Sequence, residues 1–184
     1  WATSGKSPEH VLSRLFLEVV MMEPTSERQL REFVTLNTEQ VRHLVDQELK
    51  RIAGLRFEEI VVPSNNIIPA DDKSGIHILD FNLRTRQGAG SVLSAVYKTP
   101  GTIELNLLRA SRDLATYSNI RGVDDLALFV MTGKQDQFEP AEYAQINDVL
   151  DEQCWSLENQ CFGVEAFDEL LPIARSMLEW AQDA

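Results

Sequence analysis

The chain has 184 residues, of which 43% are hydrophobic and 25% charged, and its net charge is −12. A single domain of that length can bury well over half of its unfolded surface without a disulfide or a metal, and no apolar run approaches the ~20 residues of a membrane span. The charge is segregated: residues 1–123 hold fifteen acidic and fifteen basic side chains, whereas residues 124–184 hold fourteen acidic ones against Lys134 and Arg175 alone. Such a field repels nucleic acid and membranes and attracts basic partners.

The opening WATSGKSPEH lacks the layout of a signal peptide and an initiating Met, so a processed or excised cytoplasmic chain is expected. Ser7-Pro8-Glu9 starts a helix whose apolar face runs from Val11 to Val20. Glu23-Pro24 ends it, and a second helix restarts at Thr25-Ser26 with Leu30, Phe33 and Val34 inward. Asn37 or Thr38 caps a third, with Val41, Leu44, Val45, Leu49 and Ile52 at helical spacing and Gly54 as its stop. Arg56 to Val62 reads as a strand, and the polar stretch from Pro63 to Gly75 as a loop.

Ile76 to Arg86 reads as the next strand and Val92 to Lys98 as its return, across a basic, glycine-rich tip at Arg84–Gly90. Thr99-Pro100-Gly101-Thr102 suits a type II turn, which makes Ile103 to Leu107 a third strand of the meander. Arg109 to Asn119 is then a crossover helix. Leu126 to Met131, apolar throughout, is a strand covered on both faces and reached in parallel. Pro140 begins a helix broken at Gly163, and Val164 to Ala181 forms a last helix, kinked or restarted at Pro172. Cys154 and Cys161, seven apart on such a helix, lie about 10 Å apart along its axis. That exceeds disulfide reach, so both are expected as reduced thiols.

Gly5-Lys6-Ser7 matches the end of a phosphate-binding loop but lacks the preceding strand and first glycine. Three helices, a strand and a basic hairpin resemble a winged-helix module. That resemblance implies nucleic-acid contacts through residues 38–53 and the 84–90 tip, with Arg42, Arg84 and Arg86 as the reading residues. The order helix, three strands, helix, strand resembles the core of PD-(D/E)XK nucleases, which implies a metal held by an Asp and a Glu beside a Lys. Asp80 and Lys98 occupy roughly suitable places. Position 96 is Val96, and only Glu104 could substitute, so a degenerate relative is the form this reading takes. His10, His43 and His77 adjoin no nucleophile motif, and Asp71-Asp72 and Asp124-Asp125 read as turn residues.

Taken together, the pattern predicts one α+β domain over 1–184. It has a helical part over 1–54, a sheet over 55–134 and an acidic helical part over 135–184. The sheet is antiparallel or mixed with about five strands, joined by three N-terminal helices, one crossover helix and two C-terminal helices. With no complete catalytic constellation and no cofactor expected, the chain reads as a non-enzymatic protein-binding or adaptor domain. Its acidic C-terminal surface would take a basic or amphipathic protein partner through Trp155, Glu158, Glu165, Asp168, Glu169 and Trp180.

Overall fold

The structure, a computed structural model, describes residues 33–69 and 76–183. The helix expected from Ser7, most of the one expected from Thr25, Gly5-Lys6-Ser7, His10 and Asp71-Asp72 lie outside these residues.

Helix α1 spans Thr38–Ala53. Asn37 caps it reciprocally: its Oδ1 accepts from the Gln40 amide and Gln40 Oε1 accepts from the Asn37 amide, each at 2.9 Å. Gly54, at φ +58°, stops it. A 3₁₀ turn and the short helix α2 (Phe57–Ile60) follow. Strands β1 (Asn66–Pro69) and β2 (Ile76–Leu79) form a separate antiparallel pair, in which Ile68 and Leu79 face the core and Ile67 and Ile78 stay exposed.

The main sheet begins with the two-residue β3 (Leu83–Arg84), which pairs antiparallel with β4 (Gly88–Ala95). Helix α3 (Pro100–Arg121) leads to β5 (Asp125–Thr132), and helix α4 (Pro140–Glu158) leads to β6 (Phe162–Phe167). Helix α5 (Leu170–Asp183) is the last of the described elements. Strand order is β3-β4-β5-β6, and the last three strands are parallel. The fold is therefore mixed α/β with two sheets and four long helices among the described residues, none of them long and apolar enough to cross a membrane.

Side-chain alternation along β5 divides the core. Leu126, Leu128 and Val130 join the layer under α3 and α4, while Ala127, Phe129 and Met131 join the layer with α1 and α5. Burial on both faces explains its apolar run, which was legible in the sequence as a covered strand.

Four sequence expectations are corrected here. Arg56 to Val62 is not a strand: Phe57 and Ile60, three apart, turn inward helically, and only Val61 reaches the sheet, through an isolated bridge to Leu83. Ile76 to Arg86 is broken at Asp80–Asn82, where polar side chains leave the strand to bond elsewhere. Ile103 to Leu107 lies inside α3. Pro100 takes its first turn, and Ile103, Leu107, Ala110, Leu114 and Tyr117 make one buried helical stripe. Val164 belongs to β6, whose Phe162 and Val164 face one layer and Phe167 the other; the final helix starts only at Leu170, with Pro172 in its first turn. The chain thus makes two helical crossovers rather than one.

Candidate functional site

The acidic third of the chain forms two neighbouring surfaces. On α4, Ile146, Leu150 and Leu157 face the core, and Trp155 stands on the opposite side, 68% exposed. Asp151, Glu152 and Glu158 lie four and three residues before it and three after, so all share its face, and all are exposed. Their field reaches the adjacent half-buried Cys154. Burial raises its thiol above the ordinary range, and the charges of Glu158 and Asp151 push the same way. Cys154 and Cys161 are both free thiols; Cys161 is exposed, with a left-handed backbone (φ +66°), in the turn that joins α4 to β6.

The second surface is β6 itself. One edge pairs with β5; the other has no strand beside it among the described residues. Gly163, Glu165 and Ala166 are exposed along it. Ser176 Oγ on α5 donates to Glu165 Oε2 at 2.7 Å, which steadies the carboxylate over that helix. Asp168 and Glu169 are exposed in the turn beyond the strand, and Lys134 Nζ donates to Glu169 at 3.2 Å. Trp180 does not belong to this surface. Its ring meets Phe129 edge-on at 5.9 Å within the inner layer.

The structure separates Arg42 from Arg84 and Arg86. Arg42 is only 6% exposed and faces the sheet. Its Nε donates to the Val92 carbonyl at 3.0 Å, Nη2 donates to Ser91 Oγ at 2.8 Å, and Nη1 pairs with the half-exposed Asp80 carboxylate. A recognition helix needs that side chain free, and here it is committed to the fold. Arg84 and Arg86 instead line an open groove of about 540 Å³ with Arg56, Glu59 and Ile60. None of these three arginines has an ion-pair partner among the described residues.

Asp80, Lys98 and Glu104 form no common site. The Lys98 ammonium lies 5.3 Å from the Phe33 ring centre. Glu104 is exposed on α3 and accepts from Gln153 at 3.4 Å. Asp80 shares its groove with Glu39 and with the buried Asp113, which accepts from the Asp80 amide at 3.1 Å. Among the described residues, no group of three His, Cys, Asp or Glu side chains is placed to hold a metal ion. His43 is exposed, with Nε2 2.9 Å from Gln47 Nε2, and His77 is partly buried in β2.

Sequence reasoning missed how the upper half of β4 is closed. Strand β3 covers only Ala89 and Gly90. Beyond it, Asn82 Oδ1 accepts from the Val92 amide at 2.8 Å, Arg42 donates to the Val92 carbonyl, and Thr38 Oγ1 accepts from the Ser94 amide at 3.3 Å. The available signal was Asp80 and Asn82 alternating with the apolar Leu79, Phe81 and Leu83, two polar residues that a regular pairing would not require. No protein-family model, curated protein or solved structure matches the chain.

Proposed function

We propose that the acidic C-terminal third is the docking surface of a non-enzymatic adaptor domain that acts in the cytoplasm and binds a basic or amphipathic protein segment. The observation that carries this reading is Trp155, a large aromatic held out into solvent on a helix face it shares with Asp151, Glu152 and Glu158. Aromatic anchors inside a charged rim are the usual composition of a protein-binding patch. Exposed large aromatics are otherwise avoided on soluble surfaces. Glu165, Asp168 and Glu169 extend the same sign of charge along the chain. Capture from a native lysate tests the reading. Proteins retained by the parent chain at low salt should be lost on Trp155→Ala with Glu158→Lys, and on Glu165→Lys with Glu169→Lys. Retention of the same proteins by both variants would contradict it.

A second reading is favoured by one observation, the three arginines in the groove of Arg84 and Arg86 that have no ion-pair partner among the described residues. It is a nucleic-acid-binding role of that groove, with Arg56 in place of Arg42. It predicts duplex affinity that falls with salt and with Arg84→Ala plus Arg86→Ala. Absence of binding to a duplex oligonucleotide at low salt would remove it.

A further inference from the structure

The two edges of the main sheet end differently, and the difference bears on how a partner binds. A strand edge exposes a row of backbone donors and acceptors that another extended chain can pair with, so proteins cover, charge or shorten such edges. At the β4 edge, β3, Asn82, Arg42 and Thr38 satisfy the backbone. At β6, six residues run parallel to β5 over the register Leu126↔Phe162 to Met131↔Phe167, and no described residue satisfies the outer side. The side chains there are small or acidic: Gly163 and Ala166 leave the backbone approachable, and Glu165 stands between them. Each face of β6 is anchored in the core, one through Phe162 and Val164 to the layer under α4 and the other through Phe167 to the layer under α5. The strand is therefore held in extended form before any ligand arrives, which lowers the ordering cost of strand addition.

We propose that β6 accepts an extended, basic segment of a partner protein as a fifth strand of the main sheet. This rests on the acidic-surface reading above and specifies its mode. Charge selects the occupant. Glu165 lies on the strand, Asp168 and Glu169 follow it and Glu158 precedes it, so lysines or arginines alternating along the incoming strand meet carboxylates at both ends and in the middle. A second copy of this chain is disfavoured as the occupant, because it would bring the same carboxylates against themselves on a molecule of net charge −12.

Three labelled probes test the proposal on the full chain by fluorescence anisotropy at low salt. They are a decapeptide alternating lysine and valine, the peptoid carrying the same side chains but no backbone N–H, and a decapeptide alternating glutamate and valine. The proposal expects the lysine peptide to bind, the glutamate peptide not to, and the peptoid to bind at least about tenfold more weakly, because main-chain pairing supplies the affinity in strand addition. Glu165→Lys with Asp168→Lys should abolish binding of the lysine peptide. Equal binding of peptide and peptoid would overturn strand addition while leaving the acidic surface as a docking site. Failure of both to bind would overturn the surface as well. A dimer of the chain alone that Glu165→Lys dissociates would make a second copy the occupant and overturn the proposal.

Discussion

At the β4 edge, side chains from α1 and from the Asp80–Asn82 break do the work of the strand that β3 is too short to supply; at the β6 edge, the backbone faces outward with only small and acidic side chains along it. Both edges bound one sheet, and helices pack on both faces of each strand, fully over β4 and in part over β6. The contrast shows that closing an edge here costs specific polar residues. Arg42 alone spans a carbonyl, a hydroxyl and a carboxylate, whereas no comparable residue stands beside β6 among those described. The edge closed at that cost serves stability, and the edge left open next to a carboxylate row is the one we propose for binding.

Substitutions should divide along the same line. The largest effect is expected from Arg42→Ala, which strips the buried Val92 carbonyl and Ser91 hydroxyl of their donor at once. We expect a loss of about 3 kcal/mol by urea denaturation, with Arg42→Lys recovering only part of it because an ammonium cannot reproduce the fork. Asn82→Ala leaves the Val92 amide unpaired and should cost roughly 1–2 kcal/mol. The longer bond from Ser94 to Thr38 sets a smaller expectation, about 0.5–1 kcal/mol for Thr38→Val. At the other edge, Glu165→Ala removes the acceptor of the Ser176 hydroxyl and should cost about 1 kcal/mol, and Trp155→Ala on α4 should change stability by no more than about 0.5 kcal/mol, while partner capture falls away in both. A loss of stability there as large as that of Arg42→Ala would erase the distinction.

Asp46, on α1 behind the closed edge, adds a pH dependence of defined sign. Burial raises its carboxyl above the ordinary range, against the opposing pull of Arg42 and then His43, and its Oδ1 is buried without a hydrogen-bond partner among the described residues. The folded state therefore holds this proton more tightly than the unfolded chain. Asp46 accordingly weakens the fold as pH rises from the ordinary carboxylate range through its raised value, and the cost persists at neutral pH. Asp46→Asn should stabilise the protein at pH 7, and the gain should vanish on acidification below the ordinary carboxylate range; parallel denaturation curves at the two pH values measure this. A gain that stays constant would mean that burial does not govern the group.

Much of the architecture was legible. Asn37, Gly54, Pro140 and the apolar run Leu126–Met131 each carry a local signal strong enough to fix an element. What misled was ambiguity of period in short segments. TIELNLL admits an extended reading until Ile103 and Leu107 are extended to Ala110 and Leu114, and the alternation in Phe162–Phe167 is too brief to outweigh the helical pattern that follows. Residues 124–184 announce an acidic surface by composition alone, and the structure adds which of their aromatics face out: Trp155 does and Trp180 does not. Arg42 was unreadable for a different reason. Its three partners lie 38 to 50 residues away, and nothing local distinguishes a buried arginine from one on a solvated helix face.

Native-state hydrogen exchange on the full chain tests the contrast between the two edges most directly. The amides of Val92 and Ser94 should exchange slowly, held by Asn82 and Thr38, while the alternate amides of Phe162–Phe167 that face away from β5 should exchange fast and become protected when the lysine–valine decapeptide is added. If those β6 amides are already as slow as Val92 in the chain alone, the edge is covered and the account is contradicted.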